Sequence, residues 1–247
     1  MHLIGDYHTH TVYSHGTGSI RDNVEAGLKK GLKEIAICDH GPGHYLYGVR
    51  KKKIPIMREE VDRLNEEFEP KGIKILLGIE ANLMSYDGRI DMDDQLIKLT
   101  DILLLGYHYG IIPNSMYDTL GMYIINPISK VLPLGRKNLL ESTTRAFVKA
   151  INNYPIDFIS HPGSKAKVDI KTLAREAAKV GTALEINSKH SQLSVDSIKI
   201  AMEEDVEFVV NSDAHKPSDV GNVEESIKRA KAANLPMNRI RNIERRW

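Results

Sequence analysis

The chain of 247 residues is 41% apolar and 27% charged, which is typical of a globular protein and excludes a disordered or membrane-embedded chain. Its formal net charge of +1 argues against broad electrostatic binding to nucleic acid or anionic lipid. The first residues lack the pattern of a secretory signal, and no apolar stretch approaches the roughly twenty residues that span a bilayer. We therefore expect a cytoplasmic protein that does not bind membranes.

Short apolar runs alternate with amphipathic stretches along the whole chain, which predicts repeated βα units around a parallel sheet. No linker interrupts this alternation, so a single domain is expected over residues 1–247. The only cysteine, Cys38, lies in one of the apolar runs and is interpreted as a buried apolar residue. The predicted strands are 3–7, 34–38, 73–79, 102–107, 158–160, 183–186 and 207–211.

The helices are predicted between these strands. The first follows a capping pair, Ser19 and Asp22, and ends at Gly31. Further helices are predicted at 56–68, 91–99, 138–152, 170–180 and 195–203.

Two segments depart from this pattern. Residues 109–135 contain Pro113, Pro127 and Pro133 and are too irregular to predict as helix or strand, so we expect an insertion that overhangs the mouth of the site. The basic C-terminal end is interpreted as a solvated tail, with arginines at Arg239, Arg241, Arg245 and Arg246.

Imidazole and carboxylate side chains follow six of the seven predicted strands. They are His8 and His10, His40, Glu80, His108, His161, and Asp213 with His215. The loops after the strands of an α/β barrel share one face, so these residues are expected to converge there. His15 also lies beyond a strand end, whereas surface or structural roles are expected for His2, His44 and His190, although the last two also follow strands.

Seven imidazoles with Glu80 and Asp213 form a nitrogen and oxygen ligand set that suits zinc, manganese or iron and exceeds the needs of one ion. Glu80 could instead be a surface residue and Asp213 a turn cap, but the run 73–79 delivers Glu80 to the same face. Asp6 and Asp39 either orient imidazoles or cap turns.

The motifs that carry these residues resemble those of the PHP family, named for its polymerase and histidinol phosphatase members, over essentially the whole chain. The resemblance is closest to the stand-alone bacterial PHP phosphatases. The matching motifs are 6–10 with His15, 38–42, 78–82 with His108, 159–163, 183–187 and 211–215.

The resemblance implies a distorted (β/α)7 TIM-like barrel and three divalent metal ions, Zn and/or Mn or Fe. The first ion would be held by His8, His10, Glu80 and Asp213. The second would be held by His15, His40 and His215, and the third by Glu80, His108 and His161. The implied activity is hydrolysis of small phosphate monoesters by attack of a metal-bound hydroxide, with Glu80, Asp213 and His161 at the catalytic centre.

Other functions remain open at this point. Close relatives would carry asparagine and small hydroxyl residues at the positions of Ser188, Lys189 and His190. How this protein recognises the leaving group of its substrate is therefore open. One alternative is a 3′-to-5′ exonuclease or phosphodiesterase that acts on nucleic acid; another is a non-catalytic metal-binding module. A binuclear amidohydrolase would leave His15 and His40 unexplained. The expected partner is a small phosphorylated substrate rather than nucleic acid, and homo-oligomerisation is left open.

Overall fold

The computed structural model describes residues 2–113, 115–129 and 136–244. Seven parallel strands pair in chain order within one sheet. The sheet nearly closes into a barrel, because Ala214 after β7 pairs with Thr9 at the end of β1. The predicted barrel of seven βα units is confirmed. Its strands are β1 (Gly5–Thr9), β2 (Glu34–His40), β3 (Lys74–Asn82), β4 (Ile102–Gly106), β5 (Phe158–Ile159), β6 (Ala183–Asn187) and β7 (Phe208–Asn211).

Helices surround the sheet. The described helices are α1 (Ile20–Lys29), α2 (Ile54–Phe68), α3 (Asp94–Ile97), α4 (Met116–Thr119), α5 (Asn126–Ser129), α6 (Arg136–Asn153), α7 (Ile170–Val180), α8 (Val195–Met202) and α9 (Glu224–Ala232). Ser19 and Asp22 form the predicted capping box of α1. The helix predicted at 91–99 is a single turn that Asp93 caps, and α9 was not predicted. None of the described helices is long and apolar enough to cross a membrane.

The described part of the segment 109–135 is more regular than predicted. Residues 116–129 are helical throughout, with a π-helical stretch, Leu120–Ile125, between α4 and α5. The Ser115 side chain caps α4, and Pro127 is the second residue of α5. The irregular composition was therefore misleading for this part. Pro133 lies outside the described residues.

The C-terminal arginines also correct a prediction. Arg239 donates to backbone carbonyls of the loop before β7, and Arg241 forms an ion pair with Glu207 at 2.8 Å. These two residues fasten the end of the chain to the barrel rather than extending into solvent. Arg245 and Arg246 lie outside the described residues.

The two faces of the sheet bury different side chains. A large apolar core fills the space between the sheet and the helices, and a small cluster fills the inside of the barrel. The inner cluster consists of Ala36, Cys38, Leu104, Phe158, Ala183 and Val209. Because side chains alternate along a strand, the next inward positions after these residues fall at the strands' carboxyl ends. Those positions are polar, and they include His40, Glu80 and Glu185.

Candidate metal centre

All nine predicted ligands lie at the carboxyl end of the barrel. They surround one pocket and comprise His8, His10, His15, His40, Glu80, His108, His161, Asp213 and His215. Seven of the nine are buried, and only His15 and His215 are partly exposed. Residues from six strands, up to 207 positions apart in sequence, therefore form one cluster.

Glu80 lies at the centre of this cluster. Its Oε1 lies 3.0 Å from Nε2 of His161 and 3.3 Å from Nε2 of His108. Its Oε2 lies 2.9 Å from Nδ1 of His40 and 3.5 Å from Nε2 of His8. The two oxygens thus face two different sets of imidazoles, which is the arrangement that a bridging carboxylate needs.

Asp213 occupies the other side of the pocket. Its Oδ1 lies 3.3 Å from Nε2 of His10 and 3.4 Å from Nδ1 of His215. Its Oδ2 accepts a hydrogen bond from the Asn187 amide at 3.1 Å and lies 3.6 Å from Nε2 of His190. Asp213, like Glu80, presents its oxygens to two groups of side chains.

A third group of rings forms the outer corner. The ring of His15 lies 4.8 Å from that of His40 and 4.2 Å from that of His215, measured between centroids. The His10 ring lies 4.4 Å from the His215 ring and joins this corner to the buried part of the pocket.

The backbone is strained at two site residues. His161 and Asp213 have φ values of 28° and 56°, in a region that side-chain-bearing residues adopt rarely. Such conformations persist where surrounding structure fixes them, and they cluster at functional sites. Both residues turn their side chains into the pocket immediately after a strand.

The spacing of the ligand atoms fits metal ions. Two ligand atoms that each lie about 2.0–2.1 Å from one ion at a tetrahedral angle are roughly 3.3–3.4 Å apart. The Nε2 atoms of His108 and His161 are 3.3 Å apart, and those of His8 and His10 are 3.1 Å apart. In the described part of the chain, four buried site atoms lack a hydrogen-bond partner: Nδ1 of His10, His15 and His40, and Oε2 of Glu80. The last two lie 2.9 Å apart but without the geometry of a hydrogen bond. Buried atoms of this kind are costly unless a ligand satisfies them.

The pKa values of the site residues shift in both directions. Burial is outweighed by the neighbouring carboxylates, which raise the pKa of His8 and of His161, so a metal ion bound by either ring would displace a proton. Burial, reinforced by the neighbouring His40 ring, lowers the pKa of His15 to about 4. Burial likewise lowers the pKa of His108 to about 4 against the opposing effect of Glu80. Burial opposes ionisation of Glu80, but the imidazoles of His108, His8 and His40 outweigh it and hold the pKa of that carboxyl well below its usual range. Neutral imidazoles and ionised carboxylates are the forms that bind metals.

The sequence-based list of site residues missed Glu185. Its Oε1 accepts a 2.7 Å hydrogen bond from Nδ1 of His8, and its Oε2 accepts one of the same length from the backbone N–H of His161. Carboxylates that orient metal-binding histidines in this way are common. The available signal was a charged residue inside the apolar run 183–186, since an unpaired charge is rarely buried there.

Two other supporting residues were also missed. The Asn82 side-chain oxygen accepts a 2.8 Å hydrogen bond from Nδ1 of His108, and the Ser160 hydroxyl donates to Oε1 of Glu80 at 2.7 Å. Asn82 is the last residue of β3 and Ser160 directly follows β5. Their positions in the sequence are therefore no different from those of neighbouring residues without a role in the site.

Asp6 and Asp39 act as loop caps. Asp39 accepts hydrogen bonds from the backbone N–H and the hydroxyl of Thr11, and Asp6 accepts one from the backbone N–H of Ser212. Both carboxylates fix the loops that carry metal-binding candidates. The turn-capping interpretation is the one that these contacts support.

The departures from the family motif lie at the edge of the pocket. Nζ of Lys189 lies 3.2 Å from Nδ1 of His215, and the His190 ring lies 4.7 Å from the His161 ring. His190 therefore belongs to the cluster, although the sequence had suggested a structural or surface role. His44 accepts a hydrogen bond from the backbone N–H of Tyr47, in line with the structural role expected for it.

The described part of 109–129 lies at the same end of the barrel. The Tyr109 hydroxyl donates to the backbone carbonyl of Lys165 at 3.0 Å, and Ile111 pairs with His44. The segment therefore packs on the loops that follow β2 and β5.

Comparisons with known proteins agree with this geometry. The PHP domain model matches residues 6–197. The chain is 29% identical to a probable phosphatase of Shewanella piezotolerans, over 98% of this chain and 90% of the relative. It is 32% identical to a probable phosphatase of Caldanaerobacter subterraneus, over 96% of this chain and 85% of the relative.

A solved structure supports the fold. The histidinol phosphate phosphatase of Lactococcus lactis, complexed with zinc, L-histidinol and phosphate, matches with a TM-score of 0.61 and 15% identity, over 95% of this chain and 94% of that chain. The resemblance seen in the motifs is thus confirmed, together with the reaction class of a hydrolase that acts on phosphate esters. The family model matches well over half of the sequence, and the chain belongs to the PHP domain family.

Proposed function

We propose that this protein hydrolyses small phosphate monoesters at a centre of three divalent ions. The observation that carries the proposal is the convergence of nine ligand candidates on one pocket with unpartnered buried atoms. Glu80 would contact two ions, since its two oxygens face different sets of imidazoles. The three sets of ligands are those implied by the resemblance: His8, His10, Glu80 and Asp213; His15, His40 and His215; and Glu80, His108 and His161.

The protein's own residues would prepare the site in two ways. Glu185 fixes the orientation of the His8 ring and of the His161 backbone. Asp39 holds the loop that leads to His15 by accepting the hydrogen bonds of Thr11. Divalent ions bound here would activate water and neutralise the charge of the phosphoryl oxygens.

A phosphate ester suits the charge at the pocket edge. Lys189 places an ammonium group 3.2 Å from Nδ1 of His215, at the partly exposed side of the cluster, where it also lies 3.6 Å from a carboxylate oxygen of Asp219. An ammonium group beside a cluster of cations favours a ligand with several negative oxygens. The formal net charge of +1 offers no broad basic surface for a nucleic acid strand.

The test compares two classes of substrate. The protein, loaded with zinc or manganese, is assayed for phosphate release from a panel of small monoesters that includes histidinol phosphate. Labelled single-stranded DNA is assayed in parallel for nucleotide release. We expect phosphate release that chelation abolishes and added metal restores. Release of nucleotides without phosphate release, or full activity after metal removal, would overturn the proposal.

A further inference from the structure

His190 lies at the metal centre but outside the nine ligand positions of the family. Its Nε2 lies 3.6 Å from Oδ2 of Asp213. One ligand atom each from His161, His190 and Asp213 lie within 4.8 Å of one another. The 3.6 Å separation is too long for a good hydrogen bond but close to the roughly 3.3–3.4 Å expected of two ligands on one ion.

The surrounding structure holds the His190 ring in this position. Its Nδ1 is hydrogen-bonded to the Ser164 hydroxyl at 3.2 Å, and its backbone N–H donates to the side chain of Asn187 at 2.9 Å. Metal-binding histidines characteristically have the second ring nitrogen fixed by such a partner. Fixing Nδ1 leaves Nε2 directed towards Asp213.

The carboxylate of Asp213 has an oxygen to share. Oδ1 faces His8, His10 and His215, whereas Oδ2 faces His190 and the Asn187 amide. Oδ2 is therefore free of the set of imidazoles that would hold the first ion. The His161 ring, 4.7 Å from the His190 ring, closes the third side.

We propose that His190 is a tenth protein ligand of the metal centre and binds the same ion as His161, with Oδ2 of Asp213 turned towards it. This inference rests on the metal centre of the proposed function but assigns a position that the family motif does not contain. It gives the third ion a fuller protein ligand set than Glu80, His108 and His161 provide.

The experiment measures metal binding directly. The wild-type protein and its variants are stripped with a chelator and titrated with Zn²⁺ by calorimetry, with bound zinc counted by elemental analysis. We expect His190→Ala to lower the affinity for one of the three zinc ions by about tenfold or more and to leave the affinities for the other two unchanged. His190→Phe, which retains a ring against His161 but has no ligand atom, is expected to give the same loss.

Two further variants complete the set, one as a control and one that perturbs His190 indirectly. His2→Ala removes an exposed histidine, whose Nδ1 is hydrogen-bonded to the neighbouring Leu3 carbonyl, and is expected to bind zinc like the wild type. Ser164→Ala removes the hydrogen bond to Nδ1 and is expected to weaken the same ion to a smaller extent. Binding of Co²⁺ gives a second readout, since loss of a nitrogen ligand changes its visible absorption.

The outcomes separate this inference from the proposed function. If His190→Ala and His190→Phe bind three ions as tightly as the wild type does, the assignment of His190 is wrong, even if the enzyme hydrolyses monoesters. If both variants lose affinity for one ion but the loaded wild type releases no phosphate, His190 is a ligand and the proposed activity is wrong.

Discussion

The carboxyl end of the barrel and the junction between β1 and β7 both bury polar side chains, but they differ in how completely these side chains are hydrogen-bonded. At the junction, Asn242 is fully buried, donates to the carbonyls of Gly5 and Val210, and accepts from the Val210 N–H at 3.0 Å. At the carboxyl end, Glu80 is equally buried, yet its Oε2 has no hydrogen-bond partner.

This difference separates structure from function. Satisfied polar groups such as Asn242 fix one arrangement of the chain, whereas unpartnered groups persist only where a ligand completes them. The same end of the barrel carries the positive φ values of His161 and Asp213. Among the described residues, four of the nine buried side-chain atoms without a hydrogen-bond partner lie at this end, as do two of the three non-glycine residues with positive φ.

The largest effect is expected from Glu80→Ala. Glu80 contacts the ligands of two proposed ions, so its removal should lower phosphatase activity by about a thousandfold or more. The measurement is kcat/KM for a small monoester, with circular dichroism to establish that the variant is folded. A folded variant that retains a tenth of the wild-type activity would contradict the functional role of Glu80 at the carboxyl end of the barrel.

Asn242→Ala tests the structural side. The substitution leaves the Val210 N–H and two buried carbonyls without this hydrogen-bond partner, so we expect the free energy of unfolding to fall by about 3 kcal/mol. The measurement is urea denaturation of the metal-free protein, and kcat below the unfolding transition should equal that of the wild type. Lost activity at unchanged stability would show that the junction does more than hold the barrel closed.

Glu185→Gln sharpens the comparison, because Glu185 lies at the carboxyl end but is hydrogen-bonded as completely as Asn242 is at the junction. It is fully hydrogen-bonded, yet it orients His8 and His161. An amide cannot accept hydrogen bonds through both of its ends, so one of these two contacts is lost. We expect zinc affinity to fall by about ten- to a hundredfold, measured by calorimetry. Unchanged affinity would reduce Glu185 to a structural residue.

The sequence was sufficient to predict the strands and the convergence of the nine candidates. Most strands are apolar runs, and an ionisable residue one or two positions beyond the run reaches the pocket, as for Glu80 and His108. The shared direction of parallel strands then brings these residues together without further information.

Other features could not be predicted because they depend on tertiary contacts. His190 follows a strand as many surface residues do, and only the position of the loop after β6 brings it to Asp213. Arg239 and Arg241 looked like a charged tail, because their acceptors lie on distant loops. The helical turns at 116–129 are short, and short helices depend on packing more than on propensity.

The most direct test of the account is the metal content of the full-length protein, purified without added ions and without chelators. Elemental analysis is predicted to find three divalent ions per chain in the wild type and fewer in Glu80→Ala. An active wild-type protein that contains no divalent ions, or a single one, would contradict the account.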